Sequence, residues 1–278
     1  MVLEIRDRAF NWGEKTYLMG ILNVTPDSFS DGGEYNRIET ALAKAREMIS
    51  NGVDIIDIGG ESTRPNAEAV AVEEELQRVI PIIQQLRKES SIPISIDTTK
   101  ATVAKEAIAA GADIVNDISG ATYDDGMLET VAELNVPIIL MHIRGNPKTM
   151  QSLTDYQDVI AEVKEFLNER ISKAIACGIV RDKIIIDPGI GFAKKAEQSL
   201  ELLQRLAEFK ALELPMLVGV SRKSFMRPIL QKDDPKERIW GTAAACYSAI
   251  SRGADILRVH DVPQMYDVCR VADAIERN

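Results

Sequence analysis

Short apolar runs recur along the chain at near-regular spacing, and a longer stretch of helical periodicity follows each one. The runs lie near residues 17–22, 54–58, 93–97, 113–117, 137–141, 183–187, 215–219 and 255–259. The amphipathic stretches cover roughly 37–51, 71–89, 100–110, 125–135, 155–177, 196–211, 235–252 and 263–276. The runs are almost continuously apolar and do not alternate, as parallel strands covered on both faces require. Two punctuation forms open them. Gly52-Val-Asp-Ile55, Gly111-Ala-Asp-Ile114 and Gly253-Ala-Asp-Ile256 place a helix-ending glycine before a strand. Ile92-Pro-Ile-Ser-Ile96, Val136-Pro-Ile-Ile-Leu140 and Leu214-Pro-Met-Leu-Val218 place proline where a strand begins and no ladder N–H is needed. Eight strand-then-helix units predict an α/β fold, a (β/α)8 barrel occupying residues 1–278 as a single domain. An open doubly wound sheet is the alternative, since the order of units does not itself prove closure. Residues 1–16 are expected to form a hairpin around Trp12-Gly13-Glu14 that closes the bottom of the barrel.

Composition narrows the setting. With 45% hydrophobic and 27% charged residues the chain is that of an ordinary globular protein. No apolar run approaches the ~18 residues of a membrane span, and the charged start Met1-Val-Leu-Glu-Ile-Arg-Asp-Arg8 does not suit a signal peptide. A cytoplasmic protein is expected. The formal charge of −10 and the lack of a basic run argue against a nucleic-acid partner. Cys177, Cys246 and Cys269 lack paired spacing and read as small buried hydrophobes. Two histidines and no HExxH or CxxC pattern leave no zinc motif.

The chemistry gathers where the apolar runs stop, the end of a barrel at which active sites are built. Run one ends at Asn23, and Val24-Thr-Pro-Asp-Ser-Phe-Ser-Asp-Gly-Gly33 follows. Run two gives Asp57-Ile-Gly-Gly-Glu-Ser-Thr-Arg-Pro65, run three Asp97-Thr-Thr-Lys100, and run four Asn116-Asp-Ile-Ser-Gly120. The remaining ends are Met141-His142, Asp187-Pro-Gly-Ile-Gly-Phe192, Gly219-Val-Ser-Arg-Lys-Ser224 and Arg258-Val-His-Asp261. One polar strand end is easily a helix cap; eight on one face indicate an active site. Asp97 and Asp187, with Asn116 between them, suit a flat heterocycle bearing several N–H donors, and Lys223 could face a ring carbonyl. Arg64, Arg258 and His260 form a cationic set beside Asn23 that suits phosphate or pyrophosphate. No Walker motif is present, so phosphate would be held by side chains and a divalent metal.

Taken together these motifs resemble the dihydropteroate synthases of folate synthesis over nearly the whole chain. The resemblance implies a Mg2+-dependent transfer of the pterin-methyl group of 6-hydroxymethyl-7,8-dihydropterin diphosphate to p-aminobenzoate, in a homodimer that is a sulfonamide target. By matching position, Asp97, Asn116, Ile118, Met141, Asp187, Gly219 and Lys223 would hold the pterin. Asn23, Thr63, Arg64, Arg258 and His260 would hold the diphosphate, with Asn23 also a metal ligand. Ser62, Thr63, Pro65, Phe192 and Ser224 would receive p-aminobenzoate. Asp97, Lys223, Asp31 and Phe29 would act in catalysis, the last two from a loop that closes over the reaction. Two alternatives are a corrinoid-dependent pterin methyltransferase domain, which needs no diphosphate set, and a non-catalytic pterin-binding paralogue.

Overall fold

A computed structural model describes residues 2–25, 34–64 and 67–277, with the side chains of residues 34–37 left aside. Eight parallel strands form one sheet: β3 (Tyr17–Asn23), β4 (Ile55–Gly59), β5 (Ile94–Asp97), β6 (Ile114–Asp117), β7 (Ile138–Met141), β8 (Ile184–Asp187), β9 (Leu217–Val218) and β10 (Ile256–Val259). Their spatial order is β8-β7-β6-β5-β4-β3-β10-β9. An isolated parallel bridge between Ile186 and Met216 joins the two ends, with the Ile186 N–H donating to the Pro215 carbonyl at 3.0 Å. The barrel is therefore closed, not an open sheet. Helices α1 (Glu34–Ser50), α2 (Val72–Glu89), α3 (Ala101–Ala110), α4 (Met127–Leu134), α5 (Val159–Ala176), α6 (Ala196–Gln204), α7 (Arg227–Leu230), α8 (Ile239–Ile250) and α9 (Val262–Glu276) accompany it. No helix among the described residues is long and apolar enough to cross a membrane.

The Gly-x-Asp-Ile rhythm has a local cause. Gly52, Gly111 and Gly253 all take positive φ, as helix-ending glycines do. The aspartate two residues on then accepts a backbone N–H at the foot of the adjoining strand. Asp54 takes that of Leu18 at 2.8 Å, Asp113 that of Ile94 at 2.9 Å, and Asp255 that of Met216 at 2.9 Å. Each repeat so ends a helix and ties the bottom of one strand to its neighbour.

The bottom is plugged as expected, but by a different turn. The hairpin consists of β1 (Val2–Ile5) and β2 (Arg8–Asn11), and it reverses at Arg6-Asp7, not at Trp12-Gly13-Glu14. Arg6 adopts φ 58° there. Side-chain alternation explains the choice. Only this register pairs Leu3 with Phe10 and sends Leu3, Ile5 and Phe10 inward against Met19, Ile55, Ile139, Ile185 and Ile256. Two helices also differ from the periodicity reading. The stretch 196–211 breaks after Gln204 into a 3-10 segment, Leu206–Leu212, in which Leu206, Phe209 and Leu212 are buried at its period of three. The stretch 235–252 likewise opens with a 3-10 turn, Pro235–Arg238, before α8. Cys246 and Cys269 are buried and Cys177 half-buried, all three free.

Candidate active site

The carboxyl ends of the strands bring most of the expected residues to one mouth. Parallel registers set Asn23 beside Gly59, Gly59 beside Asp97, Asp97 beside Asn116, and Met141 beside Asp187. Asp97, Asn116 and Asp187 are buried. Arg258, on β10, reaches into this ring. Its Nε donates to Asp57 Oδ2 at 2.6 Å and its Nη2 to Asp97 Oδ2 at 2.5 Å. Asn116 Nδ2 donates to the same Asp57 carboxylate at 3.2 Å. One buried network thus links four strands, and Asp57, fully buried, is its centre. Sequence reading had not singled out Asp57. The signal was there: an acid inside Ile55-Ile-Asp-Ile58, where a strand covered on both faces has no use for one.

Burial governs the electrostatics. Desolvation pushes the Asp97 carboxyl up to about 7, against the pull of Arg258 and with the help of neighbouring acids. Asp187 is raised by the same burial, opposed by Lys223 and by the Gly189 N–H, which donates to its Oδ1 at 2.7 Å. Desolvation also works against the Arg258 charge, yet Asp57 and Asp97 outweigh it and hold the guanidinium above its ordinary range. Lys223 is brought down to about 8 by desolvation. Its ammonium lies 4.5 Å from the centre of the Phe192 ring and donates to the Ile190 carbonyl.

Two members of the expected cationic set have close partners of their own. Arg258 is a cation clamped by two acids. Desolvation, with Arg222 and Arg258 nearby, carries the His260 imidazole down to about 3. Its Nδ1 lies 3.0 Å from Ser221 Oγ. Arg64 is exposed on the loop after β4, next to half-buried Ser62 and Thr63. Ser224 is exposed and Gly219 buried, the Cβ position of Gly219 lying 3.9 Å from Lys223 Nζ. Ile118 and Met141 pack with Ile143, Met150 and Ala193 into a small apolar cluster, Phe192 against it. Phe29, Asp31 and Pro65 lie outside the described residues.

A cavity of about 280 Å3 opens beside this network, lined by Thr63, Asp97, Thr98, Lys100, Ile118 and Tyr123 among others. It touches the acid ring at Asp97 and extends under the loops after β4 to β7. Lys100 anchors its wall, paired with Glu61 and, at 2.5 Å, with buried Glu75. Among the described residues no three His, Cys, Asp or Glu side chains come together as a metal cage. Half-buried Asn23 at the tip of β3 offers a hard amide oxygen. That donor fits Mg2+, which keeps several waters and leans on substrate phosphates.

The chain is similar to known proteins over nearly its whole length. The pterin binding enzyme family matches residues 19–260. The dihydropteroate synthase of Synechocystis sp. is 58% identical over 99% of this chain and 95% of its own. A Clostridium difficile dihydropteroate synthase solved in the presence of pteroic acid is 45% identical with a TM-score of 0.92, covering 97% of this chain and 100% of its own. A Xanthomonas albilineans dihydropteroate synthase solved with 4-aminobenzoic acid is 42% identical with a TM-score of 0.93, covering 100% of this chain and 98% of its own.

Proposed function

The chain belongs to the dihydropteroate synthase family of pterin-binding enzymes, and on that premise we propose that its mouth joins pterin to p-aminobenzoate by a dissociative route. The observation that carries this reading is the buried acid ring, Asp97 and Asp187 with Asn116 between them, beside a clamped Arg258. Pterin N–H groups donating to Asp97 and Asp187 would favour the ionised carboxylates that burial alone disfavours. Two carboxylates facing the ring then stabilise positive charge developing at the exocyclic carbon as its C–O bond breaks and pyrophosphate leaves with the electron pair. Ile118 and Met141 would cover the face of the ring and exclude water.

Arg258 uses Nε and one Nη2 hydrogen on Asp57 and Asp97, so donors remain on Nη1 for the leaving diphosphate. The two acids fix the fork before the ligand arrives. Asn23, Thr63, Arg64 and His260 complete the diphosphate set, and Asn23 would hold the metal. Mg2+ bound there supplies charge neutralisation to the departing pyrophosphate. Ser62, Pro65, Phe192 and Ser224 would receive p-aminobenzoate, whose amine attacks the cation. The resulting anilinium is acidic enough to lose its proton to water, so no protein base is needed. Phe29 and Asp31 would close over the reaction.

Homodimerisation fits the outer face. Trp240, 77% exposed, and Tyr247 share one side of α8, while exposed Val271 and Ile275 are one turn apart on α9. Tyr247 Oη donates to Glu276 at 2.8 Å, which makes the two helices one surface. A second copy would cover it, and sedimentation of a Trp240→Glu variant at the wild-type mass would reject this pairing. The activity is tested by incubating the protein with the pterin diphosphate, p-aminobenzoate and Mg2+. Dihydropteroate and pyrophosphate in equal amounts are expected. No dihydropteroate would overturn the assignment.

A further inference from the structure

Among the described residues, Lys194 and Arg238 are the most deeply buried cations that the reaction does not use. Lys194 is 4% exposed, and no carboxylate among the described residues is within ion-pair distance. Its Nζ instead meets three polar atoms at 2.9 Å each: His142 Nδ1, the Gly189 carbonyl and the Phe192 carbonyl. Either protonation state satisfies this set. An ammonium donates to all three, while an amine donates to the carbonyls and accepts from a protonated Nδ1. Burial pushes Lys194 well below its ordinary range, so its place here is costly unless the contacts do something.

What they hold is the turn after β8. Phe192 N–H donates to the Gly189 carbonyl at 3.1 Å, and Gly189 N–H to Asp187 Oδ1 at 2.7 Å. The side chain of Lys194 closes the turn from below, tying its first and last residues to the end of β7. The His142 ring is itself fixed, edge-on to Phe166 at 4.9 Å between centres and 83° between planes. Between the two anchored carbonyls lies Ile190, whose own carbonyl accepts from Lys223, and Phe192 carries the ring over which the Lys223 ammonium sits. Gly191 leaves room for that side chain, its Cβ position being 3.1 Å from Lys223 Cδ.

We propose that Lys194 is a positioning residue of the reaction: by pinning the Gly189–Phe192 turn to His142, it sets where the Phe192 ring and the Ile190 carbonyl meet Lys223, and so shapes the p-aminobenzoate berth. The inference rests on the reading of the mouth given above. Lys194 touches no substrate in this scheme and acts only through the turn. The diphosphate set, on β3, the β4 loop and β10, is held by other contacts.

A double-mutant cycle tests it. Lys194→Met keeps the length and removes the donors. It is expected to raise the KM for p-aminobenzoate by about tenfold with kcat little changed, and to leave inhibition by pyrophosphate as in the wild type. In a Phe192→Ala background the same substitution should add almost nothing, because the ring it positions is gone. Lys194→Gln, which retains two donors, should fall between, and it replaces the methionine variant if that one fails to fold. An unchanged KM, additive effects in the cycle, or an equal loss of pyrophosphate inhibition would overturn the proposal. A wild-type protein that makes no dihydropteroate would instead sink the functional reading, so the two failures are distinct.

Discussion

Replacing Arg258 with methionine removes the cation from a buried acid network and leaves its volume roughly filled. Asp57 is fully buried, Asp97 is 5% exposed and the Arg258 side chain 18%. Removing one partner of such a pair costs about 3–5 kcal/mol, chiefly because the remaining charge is left without compensation. At about 2.1 cal/mol/K per residue, a 278-residue chain has an unfolding entropy of roughly 0.6 kcal/mol/K, so Tm should fall by roughly 5–8 °C. The loss must depend on pH. Asp97 has a folded-state value of about 7, above the ~3.9 of an unfolded aspartate. The folded state therefore holds the extra proton between these values, and stability falls as pH rises through that window. Without Arg258 the Asp97 value climbs further and the window widens upward. Thermal melts of both proteins should show a larger deficit at pH 8 than at pH 5.5, the share due to Asp97 appearing only at the higher pH. A deficit that is equal at both, or larger at pH 5.5, would refute the idea that Arg258 holds an ionised acid.

Both histidines should titrate below the ordinary imidazole range in the folded protein, since burial lowers His142 well below it and His260 to about 3. Each then contributes stability that is lost as pH falls below about 6.5; imidazole 15N shifts that titrate near pH 6.5 would contradict this. Gly189→Ala should destabilise by on the order of 3 kcal/mol or more. Gly189 sits at φ +68°, and a Cβ there would lie 1.9 Å from the His142 carbonyl oxygen, a backbone atom that cannot turn aside; a Tm within a degree or two of wild type would show the turn to be more pliable. Asp97→Asn should lower kcat more than it raises the pterin KM if that carboxylate stabilises the cation, whereas an unchanged kcat with a raised KM would leave it a purely binding role.

The barrel was legible because its signals are local. Apolar runs, helix-ending glycines and strand-opening prolines each act within a few residues, and eight units in sequence admit few topologies. What escaped depended on partners far away. The hairpin turn was misplaced because the register that buries Leu3, Ile5 and Phe10 is set by the barrel bottom they plug. Asp57 and Arg258 lie 201 positions apart, and only closure of β3, β4 and β10 into neighbours makes them a pair. The burial that lowers the His260 imidazole is likewise not stated by its strand-end position. Lys194 carries no signal in the sequence, because its three polar partners come from two separate strand ends.

The dissociative order is tested most directly by positional isotope exchange. The pterin diphosphate is labelled with 18O in the oxygen bridging the methylene carbon and the adjacent phosphorus, and incubated with the protein and Mg2+ without p-aminobenzoate. Breaking that C–O bond before the amine arrives lets the labelled phosphate group rotate, so recovered substrate should carry the label in non-bridging positions. A label that stays in the bridge, in a preparation that makes dihydropteroate once p-aminobenzoate is added, would contradict cleavage before attack.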